Sequence, residues 1–368
     1  MIPASNARTS PADDPGNLGR YPTPVQCLLT RGKNELWVKR DDLTNAAYGG
    51  NKVRKLERLL HEFRARGIRR IVTVGAAGSH HVLATTYFGG RAGLEVEAVL
   101  VPQARTDHAA DVLRASVGLG LRPFPVRSWW AVPWAVGQRV ARGATYVPLG
   151  GSNVTGAMGY ARAAGELALQ VEAGELPEPS ICVVALGSGG TAAGLAAGLV
   201  GSPLRTRVLG VCVSEPSWAL RWSARRIAAG CLAKLGTRCA GDGVRRRLVV
   251  TSSFIGPGYG RGSPDTNAAH EEGIRCGLAL DPTYTAKAFA AALAELDRPS
   301  SMRELEGGRE APPSSMRELE GGRKALPSSR HNAVVLYWHT LSSAPLAPFL
   351  RHAPSESDLS TPLRELLV

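Results

Sequence analysis

The sequence predicts an α/β protein whose parallel sheet is covered by helices. Three observations carry that reading. Short apolar runs alternate along the chain with stretches of helical period. Several runs end in a glycine-bearing turn that opens directly into a helical stretch, as at Gly49-Gly50, Gly78 and Gly187 to Gly190. The 368 residues are 44% hydrophobic and 20% charged, enough apolar surface for one large core or two smaller ones and too much for a mainly disordered chain.

The elements follow in order. Residues 35–42 read as a strand leaving into a glycine-bearing loop. Residues 51–67 place Val53, Leu56, Leu59, Leu60 and Phe63 on one helix face, with Gly67 as a stop. Residues 70–76 form a short buried strand running into Gly78-Ser79-His80-His81, and 96–102 and 144–151 read as further strands. Residues 181–199 combine an apolar strand, a glycine loop and a helix of small residues. Residues 207–216 give the next strand, 286–296 a helix and 333–340 the last strand. Between those two, PSSMRELEGGR at residues 299–309 recurs unchanged at 313–323. Packed repeats drift because their environments differ, so residues 299–330 read as a duplicated surface loop placed where an insertion harms the core least. The first eighteen residues and the tail 352–368 read as loosely ordered.

Charge and cysteine usage narrow the function. The net charge is +13, but only seven of the 44 basic residues are lysines, and the arginines are scattered without interleaved aromatics. This reads as a solvated surface and not as a nucleic-acid footprint. No apolar run approaches the roughly 20 residues that span a bilayer, and the start lacks a secretory pattern, so neither membrane nor export is expected. Cys27, Cys182, Cys212, Cys231, Cys239 and Cys276 lie far apart with no C-x-x-C pair. They read as reduced thiols of a cytoplasmic protein, with no metal site expected.

Three segments carry chemistry. Gly187, Ser188, Gly189, Gly190 and Thr191 follow a strand and open a helix, where backbone N–H groups and the helix dipole make an anion cradle. The same glycines also satisfy a dinucleotide fingerprint, with Glu215 at the end of the next strand, so the loop by itself leaves both ligands open. Lys52 follows Gly49, Gly50 and Asn51 at a helix start. The positive helix end destabilises an ammonium there and favours the nucleophilic amine, although an ordinary surface lysine fits the segment too. Ser79, with His80 and His81, stands at another helix start, as a cap or as a hydroxyl offered to a carboxylate.

Taken together, KRDDL, GGNKVRKLE, GSHH, PLGGSN, GAMGY, GSGGTAAGL, GPGYG, LDPTYTAKA and YWHT occur in the order and spacing of one family. Over about residues 21–343 the chain resembles the aminocyclopropane-carboxylate deaminase and D-cysteine desulfhydrase family of pyridoxal-phosphate enzymes. The resemblance implies fold type II, with two domains that each hold an open, mostly parallel sheet flanked by helices. It divides the chain into a larger domain of 19–54 and 155–351 and a smaller one of 55–154. It also implies a homodimer acting on a small amino acid, while the arginine richness and the alanine and glycine bias fit a GC-rich bacterial genome.

The same resemblance assigns roles. Lys52 matches the Schiff-base lysine that also moves the Cα proton. Gly187, Ser188, Gly189, Gly190 and Thr191 match the phosphate cradle, with Asn51, His80 and Thr340 among the cofactor contacts. Ser79, His80, His81, Tyr259 and Tyr284 match the substrate side, and Ser79 and the two tyrosines are catalytic candidates. Two departures stand out. His80 replaces an asparagine expected to reach the cofactor's phenolic oxygen, and Leu341-Ser342 replaces a glycine pair after Thr340. Thr285 and Thr340 occupy places where the deaminases carry glutamate and leucine, so the expected activity is β-elimination from D-cysteine. Cyclopropane opening, and cofactor binding with little turnover, are the alternatives.

Overall fold

The computed structural model describes residues 17–237, 240–258, 260–298 and 333–368. The repeats at 299–309 and 313–323 therefore lie outside the described residues, as does Tyr259. Two sheets organise the rest. The larger has the order β1-β2-β10-β7-β8-β9, built from β1 (Val25–Arg31), β2 (Asn34–Arg40), β7 (Ile181–Leu186), β8 (Arg207–Cys212), β9 (Leu248–Thr251) and β10 (Val334–His339). Only the β1–β2 hairpin is antiparallel. The last strand in sequence, β10, pairs with β2 on one side and β7 on the other. Every residue of β10 is buried, as its run VVLYWH requires.

The smaller sheet has the all-parallel order β5-β4-β3-β6: β3 (Arg70–Ala76), β4 (Glu95–Val101), β5 (Arg122–Pro125) and β6 (Thr145–Tyr146). The strand expected over 144–151 keeps only two residues. Pro148 has no N–H for a ladder, and Gly150 and Gly151 both take φ +64, which bends the chain out of the sheet.

Helices close both faces of each sheet. Helices α5 (Val154–Glu172), α6 (Gly190–Val200), α7 (Ser217–Lys234) and α8 (Ala240–Arg247) cover one face of the larger sheet. Helices α9 (Pro264–Arg275) and α10 (Thr285–Asp297) cover the other. On the smaller sheet α1 (Asn51–Ala65), α2 (His80–Arg91) and α3 (Asp107–Gly118) share one core, while α4 (Val132–Ala141) packs opposite. The face of α1 predicted from spacing is the buried one: Val53, Leu56, Leu59, Leu60 and Phe63 all enter that core.

The tail corrects an expectation. Leu359, Leu363, Leu366 and Leu367 are buried in the core of α1, α2 and α3, and Gln103 bridges to Leu367 beyond the end of β4. Three main-chain bonds join the tail to this edge: Gln103 N–H to Leu366 O at 2.9 Å, Arg105 N–H to Val368 O at 2.8 Å and Val368 N–H to Gln103 O at 3.0 Å. Each buried leucine contributes about 1.5–3 kcal/mol, ample to order so short a segment. The polar residues between the leucines hide this pattern in the sequence.

Candidate active site

The parallel strands β2, β10, β7 and β8 end on the same side of the larger sheet, the side on which such sheets bind ligands. The turn after β2 leads to Gly50, which caps α1 with φ +90. A Cβ there would lie 2.7 Å from Thr340 O, so only glycine lets α1 start against the end of β10. Asn51 N–H donates to Thr340 O at 3.0 Å, and Gly49 N–H donates to Ser342 Oγ at 2.9 Å. The Leu341-Ser342 departure thus supplies a hydroxyl that holds the glycine turn.

Lys52 points inward from the first turn of α1. Its Nζ donates to Asn51 Oδ1 at 2.7 Å, and Asn51 Nδ2 donates to Thr191 Oγ1 at 3.2 Å. The lysine predicted from the glycine pair is therefore linked through Asn51 to the glycine loop. Burial lowers the Lys52 amine to about 8, against a smaller opposing pull from Asp281. A sizeable neutral fraction at ordinary pH suits a nucleophile or a base.

A buried network fixes the other side of this turn of α1. Arg54 donates from Nε to Asp41 Oδ2 and from Nη1 to Glu166 Oε2, both at 2.8 Å. Tyr160 Oη donates to Asp41 Oδ2 at 2.7 Å. Burial by itself would raise the Asp41 carboxyl, but the Arg54 guanidinium overcomes this and holds it below the usual carboxylate range.

The glycine loop joins β7 to α6, and Gly189 caps α6 with φ +90. A Cβ on Gly187 would stand 2.9 Å from the Tyr284 ring, and one on Gly190 2.6 Å from Ser152 Oγ. Ser152 Oγ accepts from Gly190 N–H at 3.1 Å and lies 2.7 Å from Ser188 Oγ. Lys55, buried one turn after Lys52, donates to Ser152 Oγ and to Gly150 O, each at 3.2 Å. Burial first, and Lys52 second, push its amine well below the usual lysine value. A bound anion beside it would restore its proton. Lys55 and Ser152 were missed in the sequence because each joins the loop only through the fold.

Asp281 was missed as well. Its Oδ1 accepts from Tyr284 N–H at 2.7 Å and Thr283 N–H at 2.9 Å, and its Oδ2 accepts from Thr285 Oγ1 at 2.7 Å. This cap fixes the start of α10 and turns Tyr284 toward Gly187. The signal was an aspartate three residues before the tyrosine, a local side-chain turn.

The turn after β3 places Ser79, His80 and His81. Ser79 caps α2, accepting from Val82 N–H at 3.4 Å, which leaves its hydroxyl proton for another partner. His81 is not placed for substrate. Its ring is buried, with Nε2 2.8 Å from Thr73 Oγ1 and Nδ1 3.4 Å from Thr85 Oγ1. His80 also departs from its expected role. Tyr48 Oη is 2.6 Å from His80 Nδ1, and His80 Nε2 is 2.8 Å from His108 Nε2. Burial raises the Tyr48 hydroxyl and keeps it a donor. Burial, then His108, lowers His80 to about 4, so the ring is neutral, accepts at Nδ1 and donates at Nε2. Both nitrogens are engaged within the protein, and neither is left to replace the family's asparagine.

A two-sheet α/β chain with a half-buried lysine lowered to about 8, a glycine cradle at one helix start and a capping serine at another fits an enzyme site for a phosphate-bearing carbonyl cofactor. The chain belongs to the pyridoxal-phosphate dependent enzyme family, whose model matches residues 17–305. It is 34% identical over 271 residues to a D-cysteine desulfhydrase of Yersinia pestis (strain Pestoides F), covering 70% of this chain and 80% of that one. A Pyrococcus horikoshii protein provisionally named as a 1-aminocyclopropane-1-carboxylate deaminase is 32% identical over 280 residues, covering 73% and 82%. The solved structure of an ACC deaminase homologue overlays with a TM-score of 0.68 and 27% identity, covering 90% of this chain and 95% of that chain. The residues fit pyridoxal phosphate. The cradle has no room for a Cβ at Gly187 or Gly190, Lys55 offers beside it a buried amine that a bound anion would protonate, and Lys52 offers the reactive amine.

Proposed function

We propose that this chain is a lyase that removes the β-substituent of a small amino acid, with D-cysteine as its preferred substrate. The observation that carries the reading is the buried Lys52 amine, lowered to about 8 and joined through Asn51 to Thr191 of the glycine loop. When bound, pyridoxal phosphate supplies the electron sink for a carbanion at the substrate Cα. Gly187 to Thr191 and Lys55 would hold the phosphate, and Ser79 with the first amides of α2 would receive the substrate carboxylate. Lys52 Nζ, as the free amine, takes the Cα proton. Tyr284, aimed by Asp281, and Tyr259 are proposed to deliver protons to the departing group. D-cysteine and water then give pyruvate, ammonia and hydrogen sulfide.

The preference for D-cysteine is supported by the desulfhydrase relative and by Thr285 and Thr340. A carboxylate near the pyridine nitrogen would strengthen the electron sink, which carbon–carbon cleavage needs. A thiolate leaves readily, so a hydroxyl suffices. The ACC deaminase homologue favours cyclopropane opening as the second reading. Incubating the holoenzyme separately with D-cysteine and with the cyclopropane amino acid, then assaying sulfide, pyruvate and 2-oxobutyrate, tests both. Sulfide with pyruvate is expected; 2-oxobutyrate without sulfide overturns the preference. The proposal extends to two domains, 19–54 with 155–351 and 55–154, each around one sheet, in a homodimer of the bacterial cytoplasm. The free thiols of Cys27, Cys182, Cys212, Cys231 and Cys276 support that compartment.

A further inference from the structure

Lys287 lies in the first turn of α10 with none of its surface exposed. The place is unfavourable for a cation twice over: burial strips its water, and the start of a helix is the positive end of the dipole. Its Nζ meets three main-chain oxygens: Ile255 O at 2.6 Å, Gly258 O at 2.7 Å and Val213 O at 3.3 Å. An ammonium has three N–H donors, and each has an acceptor here. Burial lowers the Lys287 amine below the usual lysine value, and Asp281, which accepts from main-chain N–H groups and Thr285, opposes this by favouring the charge.

The three carbonyls come from two separate pieces of the chain. Val213 follows β8, and its N–H donates to Leu186 O at 3.2 Å, one residue before Gly187. Ile255 and Gly258 belong to the connection between β9 and α9. That connection is held by few apolar side chains, chiefly Ile255 and the half-buried Phe254. Gly256 and Gly258 take φ +63 and +125, and Ile255 is its one buried side chain among residues 252–258. On α10 itself, Lys287 follows Tyr284 by three residues, on the turn that brings Tyr284 against Gly187.

We propose that Lys287 is a positioning residue, an internal cation whose three N–H donors tie the 252–258 loop to the end of β8 and to the turn bearing Tyr284. Lys52, half-buried, and Lys287, fully buried, then have opposite tasks. The single carbonyl partner of Lys52 leaves its amine able to react, whereas the three partners of Lys287 keep its ammonium occupied. The inference rests on the cofactor-site reading only for what the loop encloses, because the tether can be measured without turnover.

The test is amide hydrogen exchange on the full-length holoenzyme, read peptide by peptide. Lys287→Met keeps the length and removes the donors; Lys287→Gln, which keeps two N–H groups, serves if the first variant does not fold. At least tenfold faster exchange over 252–258 is expected, with β3 and β4 unchanged. Lys287→Ala should regain protection in ammonium chloride, which supplies N–H donors, and not in tetramethylammonium chloride, which supplies only charge. Exchange within twofold of the parent at 252–258 overturns the proposal. So does an equal rise across β3 and β4, or equal protection by the two salts. Failure of D-cysteine turnover with the expected exchange pattern would reject the substrate and leave the tether standing.

Discussion

Two strand-to-helix turns face the candidate site, and they are built differently. After β7 the chain turns through Gly187, Ser188 and Gly189, with main chain as the working surface and glycine wherever a Cβ would collide. After β3 it turns through Ser79, with side chains as the working surface: a capping hydroxyl and a ring bridged by Tyr48 and His108. A cradle of amides suits an anion that never leaves and is the same in every turnover. A turn of side chains suits a group that changes with the substrate. The first turn therefore should tolerate almost no substitution, and the second should shift preference before it loses activity.

The amine that serves both turns gives the largest expected effect. Lys52→Ala should lower kcat by at least about 10³-fold, since base and nucleophile are lost together. Borohydride reduction and peptide mapping of the parent should place the pyridoxyl group on Lys52; finding it on Lys55 or Lys287 would break the site assignment. The reactive form is the free amine, and burial has lowered Lys52 to about 8. Capture of pyridoxal phosphate by the cofactor-free protein should therefore speed up as pH rises and level off above about 8. Below that it should slow about tenfold per pH unit, as the amine fraction falls. A midpoint above 10 would mean the amine is not buried as described.

The cradle comes next. Gly189 has φ +90, and a Cβ there would stand 3.2 Å from the Ala224 main chain. Gly189→Val should weaken pyridoxal phosphate binding by about 100-fold, equivalent to about 2.7 kcal/mol of strain and lost amide geometry. Equilibrium titration by absorbance measures it. Affinity within threefold of the parent would remove the contrast between the two turns.

That contrast was only half legible in the sequence. The glycine loop, the Lys52 turn and the buried face of α1 could be read because each depends on neighbours within one helix turn, where spacing is geometry. Partners joined by the fold could not be read: Lys55 to Ser152, Lys287 to Val213, and Tyr48 to His80 and His108. The tail failed for the same reason, since its leucines find their core on helices more than 250 residues earlier, α1 and α2. His81 misled because a histidine beside a helix start reads equally as ligand or core, and only Thr73 on the neighbouring strand decides it.

Ser79 probes the second turn directly. Ser79→Ala removes both the cap and the hydroxyl, and losing the cap costs about 1 kcal/mol. Ser79→Gly loses the hydroxyl while the cap penalty stays at a few tenths. If Ser79 receives the substrate carboxylate, both variants should raise KM by about tenfold, the worth of one hydrogen bond to a charged group, with cofactor affinity kept. Only Ser79→Ala should lower the melting temperature measurably. A KM effect confined to Ser79→Ala would make the serine a cap and nothing more.

The smallest effect is expected at His108, which is exposed and acts only through His80. His80 stays neutral down to about pH 4, whereas an unfolded histidine protonates near 6.5. The folded state therefore binds fewer protons between those values, and its stability falls as pH drops through them. Burial is the first cause of the depressed value and His108 the second. His108→Ala should thus raise the His80 value without restoring it, and narrow the pH range over which stability is lost. It also frees His80 Nε2 for another partner, while Tyr48 still holds Nδ1. Nitrogen NMR of the imidazoles should show the His80 midpoint moving up by less than the full distance to 6.5. Melting at pH 5 should then fall less, relative to pH 7, than in the parent. Recovery of the full 6.5 would mean that the imidazole pair, and not burial, holds His80 neutral. The side-chain turn would then depend on a surface residue as strictly as the glycine turn depends on its missing Cβ atoms.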